Sequence, residues 1–152
     1  MWCAREIYER VSAHLLNQGA VSEDENGSCR LRGNNGRKCA VGSLISDEFY
    51  HPDIEGIGIS YYRHAGDGKL LRALYASNVN AYDPDIVDPL CELEQVHDDA
   101  SVDQWPHLLA VLGERYGIIR AKQVIDRTGH WRRERSRVVT AGDMWIDQAQ
   151  GW

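Results

Sequence analysis

The chain has 152 residues, of which 43% are hydrophobic and 26% charged, the balance of a globular domain with its own core rather than of a disordered chain. No apolar run approaches the roughly 20 residues that span a bilayer, and the opening Met1-Trp2-Cys3-Ala4-Arg5-Glu6 is charged at once, which argues against an export signal and for a cytoplasmic protein without a membrane partner. Net charge is −6, so a direct nucleic-acid binder is disfavoured from the outset.

In chain order, Ala4, Ile7, Tyr8, Val11 and Leu15 recur at helical spacing and predict an amphipathic helix over 4–18, with Gly19 as its left-handed stop. Residues 22–28 read as an exposed acidic loop. The next stretch, Cys29 to Gly42, predicts a β-hairpin closed by Asn34-Asn35-Gly36, with Gly36 at the position needing a positive φ. In the register that segregates its side chains, Leu31 faces Cys39 and Cys29 faces Val41, all four inward. Arg30, Arg32, Lys38 and Ala40 then point outward.

Ser46 can cap a short turn over Asp47, Glu48 and Phe49. A third helix starts near Asp67 and buries Leu70, Leu71, Leu74 and Tyr75. Asp88 followed by Pro89 reads as the start of another helix, with Leu90, Leu93 and Val96 inward and its acids outward. For the helix that follows, Asp103 is preferred over Ser101 as the cap; Leu108, Leu109, Leu112 and Tyr116 complete it and Gly117 ends it. Residues 118–127 predict one more helix, closed by Gly129. The expected fold is therefore α+β and mostly helical: a small β-hairpin, about residues 28–42, packed on a bundle of four to five short helices. Residues 1–117 form the compact domain and 118–152 a basic, amphipathic C-terminal appendage.

Hairpin to last helix, the pattern resembles a family of small uncharacterised proteins of bacteria, phages and prophages. The matching residues are Cys29, Arg32-Gly33, Lys38-Cys39-Ala40-Val41-Gly42, Leu44-Ile45, Asp47-Glu48, Tyr50, Glu55-Gly56, His97-Asp98 and Trp105. Arg37 stands where an apolar residue is usual, and Glu94-Gln95 follows Leu93 where the pattern has Leu-Gln. The resemblance covers roughly residues 5–117 and carries no established activity. It implies a small accessory protein of the bacterial cytoplasm, often on mobile DNA.

Four groups of residues are candidates for function. Cys29, Cys39, Cys91 and His97 are of the types that bind zinc, but no Cys-x-x-Cys pair exists, so no metal or other cofactor is expected. Cys39, His97 and Asp98 would form a nucleophile–base–acid set if the fold joined them; an inward Cys39 favours packing instead. Arg30, Arg32, Arg37 and Lys38 make a basic face able to hold phosphates of a small ligand such as a nucleotide, unless acids of the same chain pair with it. The largest signal is acidic. Residues 1–117 carry 10 Lys+Arg against 19 Asp+Glu, residues 118–152 carry 7 against 4, and no Lys or Arg occurs between Ala73 and Glu114. Asp83, Asp85, Asp88, Glu92, Asp98, Asp99 and Trp105 are the candidate partner contacts, with Tyr82 and Tyr116 as further anchors. A solvated face kept for solubility would look the same.

The expected function is a non-enzymatic binding protein whose acidic helices engage a host protein with a basic surface, blocking a defence or nucleic-acid-processing complex. Arg132, Arg133, Arg135 and Arg137 of the tail would strap over the acidic body or join copies into a homo-oligomer. A phosphate-binding module and a Cys- or metal-dependent enzyme are the alternatives.

Overall fold

The computed structural model describes residues 1–117, 122–125 and 131–134. Five α-helices are present among them: α1 (Ala4–Gln18), α2 (Tyr62–Ala65), α3 (Lys69–Ala76), α4 (Pro84–Asp99) and α5 (Trp105–Arg115). Helices α1, α4 and α5 pack on one another. Ile7, Val11 and Leu15 of α1 meet Leu90, Leu93 and Val96 of α4 and Leu108, Leu109 and Leu112 of α5 in one buried cluster. Each such side chain contributes roughly 1.5–3 kcal/mol on leaving water. Tyr8 enters the same core and donates its hydroxyl to the Leu109 carbonyl at 2.6 Å, tying α1 to α5. Helix α1 matches its expected bounds and closes at Gly19 in the left-handed conformation.

The β-hairpin expected over 28–42 is absent. Arg32 and Lys38 form one isolated bridge, and no ladder extends from it. The turn at its tip is tight: Asn35 and Gly36 both take positive φ, 61° and 70°, and the Arg37 N–H donates to the Asn34 carbonyl at 3.2 Å. What displaces the ladder is a set of side chains. The Gln18 amide accepts the Lys38 N–H at 2.9 Å and donates to the Lys38 carbonyl at 2.9 Å, as a neighbouring strand would. Glu55 accepts the Leu31 and Arg32 N–H groups at 2.7 and 3.2 Å, and Glu94 accepts that of Val41 at 2.8 Å. With these groups satisfied, the chain turns back on itself after Cys39, in a 3₁₀ turn over Gly42–Leu44. Leu31, Cys39 and Val41 are buried as the pattern predicts, but so is Ala40, and Cys29 is exposed. Gly42 belongs to this crossing: a Cβ on it would lie 2.0 Å from the Leu31 carbonyl oxygen.

Helix α4 begins one Asp-Pro pair earlier than expected. Asp83, not Asp88, is the cap; its carboxylate accepts the Asp85 N–H at 2.9 Å and Pro84 takes the first helical position. Pro89 then lies inside the helix, where it leaves the Asp85 carbonyl without its helical donor, at a residue that is exposed. The segment leading into α5 starts at Ser101, through a 3₁₀ turn over Val102–Gln104, rather than at Asp103. Tyr75, expected inside, is exposed, as is the expected anchor Tyr116, whereas Ser22, expected in an exposed loop, is fully buried. The helix expected over 118–127 is contradicted at Lys122–Ile125, which is a strand, β1, paired antiparallel with β2 (Trp131–Glu134), Lys122 opposite Glu134 and Ile125 opposite Trp131. β-Branched Val124 and Ile125 suit such pairing. Gly129 and the tail residues Arg135 and Arg137 lie outside the described residues. Among the described residues no helix is long and apolar enough to cross a membrane.

Candidate functional site

Helix α4 sets the site, because its buried stripe is not wholly apolar. Leu90, Leu93, Glu94 and His97 occupy one face, and Glu94 and His97 are both buried with it. His97 is fully enclosed, its ring 5.7 Å from that of Trp105. The Ser22 backbone N–H donates to His97 Nε2 at 2.9 Å, so Nδ1 carries the ring proton and donates it to Asp98 Oδ1 at 2.7 Å. The Ser22 hydroxyl in turn donates to the Arg30 carbonyl at 2.8 Å. His97 thus ties the 22–38 segment to α4.

Beside this link is a pocket of about 450 Å³, lined among others by Asp24, Cys29, Arg30, Cys39, Glu55, Glu94 and Asp98. Its acids are held from behind. Asp24 accepts the Asn26 and Ser28 N–H groups at 2.9 and 3.0 Å, Glu55 those of Leu31 and Arg32 together with the Tyr50 hydroxyl at 2.9 Å, and Glu94 that of Val41. Burial, followed by the charge of Asp98, pushes the Glu94 carboxyl up to about 7. Burial and then Asp98 push the Cys29 thiol up to about 12, and burial and then Glu94 raise that of Cys39 well above its ordinary value.

The expected zinc-type residues are brought together only in part. Cys29 Sγ, a His97 nitrogen and an Asp98 oxygen lie within 4.8 Å of one another; Cys39 lines the same pocket, and Cys91 lines a neighbouring one with Arg63 and Glu92. The chemistry of the trio does not suit a metal. Nε2 already accepts a backbone proton, so a cation replacing the proton on Nδ1 would require an anionic imidazolate, and the metal-binding form of Cys29 is the one its surroundings disfavour. The catalytic set fares no better. His97 and Asp98 do meet, but the nitrogen that would act as base is occupied by Ser22, and Cys39 is a buried, protonated thiol whose sulfur accepts the Gly42 N–H at 3.3 Å.

The basic face is largely neutralised within the chain. Arg32 lies 2.7 Å from Asp47, donates to the Ile45 carbonyl at 2.8 Å and stacks over the Tyr50 ring. Lys38 lies 3.8 Å from the same Asp47, and Arg30 lies 3.6 Å from Glu55. Asp47 is held below the usual carboxylate range by Arg32 first and Lys38 second. Arg37 is half-buried.

The acidic candidates divide. Asp83 is spent on its cap; Asp88 lies 3.2 Å from Arg63 and Glu92 2.7 Å from Arg115; Asp98 holds His97. Asp85 and Asp99, with Asp103 beyond them, are exposed and form no salt bridge among the described residues. Tyr82 is exposed at the start of α4, edge-on to exposed Tyr75. Trp105 is not a surface anchor: it is wholly buried. Sequence reading missed Gln18, Ser22, Glu55 and Glu94 as site-forming residues. For Glu94 a signal existed, since 90, 93, 94 and 97 fall on one helical face. Comparison with family models, with curated proteins and with solved structures gives no match to this chain.

Proposed function

We propose that this chain is a non-enzymatic binding protein that engages a protein with a basic surface through the acidic side of α4 and the turn into α5. The observation that carries the reading is the way charges pair. Arg30, Arg32 and Lys38 are taken up by Glu55 and Asp47, whereas Asp85, Asp99 and Asp103 remain exposed without a cationic partner among the described residues. Such a surface steers basic proteins in and repels nucleic acid. Exposed Tyr82 supplies an aromatic contact beside the acids. The same pairing weighs against the phosphate-binding alternative, and the occupied His97 and protonated thiols weigh against the enzyme.

The test is capture from a bacterial lysate at low salt with wild type and with the D85K/D99K/D103K variant. A control variant, E9K/E25K/E48K, reverses as many exposed acids away from α4. A basic protein retained by wild type and control but lost by the α4 variant supports the reading. Equal retention by all three refutes it.

A further inference from the structure

We propose that the pocket between α4 and the 22–59 segments is a binding site for an organic cation, a guanidinium or alkylammonium group, and that in the complex an arginine side chain of the basic partner fills it. Naming the partner as the bearer of that cation rests on the function proposed above; the pocket itself does not.

Three observations carry the inference. The first is shape: at about 450 Å³ the pocket falls within the roughly 300–1,000 Å³ of small-ligand sites. The second is that its charge is fixed and unbalanced. Asp24, Glu55, Glu94 and Asp98 come from three separate parts of the chain and face a single cation among the described residues, Arg30, which already sits against Glu55. Backbone N–H groups hold Asp24, Glu55 and Glu94, and His97 holds Asp98, so a cation finds its acceptors already in place and loses little to reorganisation. The third is Glu94. This residue is 9% exposed, and one of its oxygens accepts from Val41. The other, Oε1, receives no N–H or O–H donor among the described residues: His97 Nδ1 is 3.7 Å away and gives its proton to Asp98. The Cys39 thiol, a weak donor, hydrogen-bonds to the same carboxylate. A carboxylate oxygen held by no more than a weak thiol donor, on the wall of a cavity, keeps capacity for a stronger one. A guanidinium supplies five N–H donors in a planar fork and fits acceptors spread around it.

Glu94 must be ionised to pair with the cation. The groups facing it are His97 and Asp98 on its own helix and Asp24, Cys29, Cys39 and Glu55 with Arg30 from the segments opposite. Binding therefore strengthens as pH rises through about 7.

The probe is agmatine, which carries a guanidinium and an ammonium but no carboxylate, titrated into the full chain at low ionic strength and followed by backbone amide NMR shifts. Saturable shifts at Leu31, Val41 and Ile59 are expected, tighter at pH 8 than at pH 6. E94Q keeps an acceptor for Val41 and is expected to weaken binding at least tenfold. S28W crowds the pocket without changing its charge and is expected to abolish it. No saturable shift, shifts elsewhere, wild-type affinity in both variants, or the same shifts produced by inorganic phosphate would each overturn the proposal. Because agmatine tests the pocket alone and D85K/D99K/D103K tests the helical face alone, the two readings fail separately.

Discussion

Replacing Glu94 by glutamine separates the two demands on this side chain. Glutamine keeps an oxygen for the Val41 N–H and a similar shape, but it carries no charge into the core. Burial moves the Glu94 carboxyl from its ordinary value of 4.5 to about 7; at about 1.4 kcal/mol per pH unit that comes to about 3 kcal/mol. The direction follows from proton counting. Between pH 4.5 and about 7 the folded protein keeps a proton that the unfolded chain has released, so this group's contribution is full below 4.5, falls as pH rises, and is lost above about 7. E94Q removes that dependence. Urea unfolding from pH 4.5 to 8, with m-values checked for constancy, should find the variant and wild type within about 1 kcal/mol at pH 4.5 and the variant more stable by about 2–3 kcal/mol at pH 8. A difference that is the same at both ends of the range refutes the reasoning.

His97→Ala leaves the Ser22 N–H unpaired and opens a space beside Trp105; a loss of about 3 kcal/mol in chemical denaturation is expected, and a loss under about 1 kcal/mol contradicts the tie between α4 and the 22–38 segment. Gly42→Ala drives a Cβ to 2.0 Å from the Leu31 carbonyl oxygen, so it should cost at least about 2 kcal/mol; a neutral result would mean the chains do not cross as described. At pH 8, alkylation of the native protein should mark Cys3 fastest, Cys29 much more slowly although it too is exposed, and Cys39 only on unfolding. Equal rates at Cys3 and Cys29 would refute the account of the pocket's electrostatics.

How much of this was legible in the sequence differs from element to element. Helix α1 was legible entire, because Ile7, Tyr8, Val11 and Leu15 lie on one face and Gly19 ends it. The start of α4 was not: Asp83-Pro84 and Asp88-Pro89 carry the same cap signature, and only the longer buried stripe, from Ile86 onward, chooses between them. In the hairpin stretch the alternation correctly buried Leu31, Cys39 and Val41. It could not reveal that Gln18, Glu55 and Glu94, remote in the chain, take the backbone groups a second strand would need. The site was missed for a related reason. Reading α4 for apolar letters alone treated Glu94 as one more outward acid, although its spacing from Leu90 and His97 puts it inside. Net charge was legible, but which acids stay unpaired was not, since Arg63 and Arg115 reach Asp88 and Glu92 from elsewhere in the fold.

The most direct measurement is hydrogen–deuterium exchange of the chain alone and in complex with the basic protein it retains from lysate. Protection concentrated over residues 82–103, extending to 28–31 and 55–59 at the pocket, is the predicted footprint. Protection confined to residues 32–38 and 44–50, where Arg32 and Lys38 meet Asp47, or to α1, would contradict the assignment of the α4 side as the binding face.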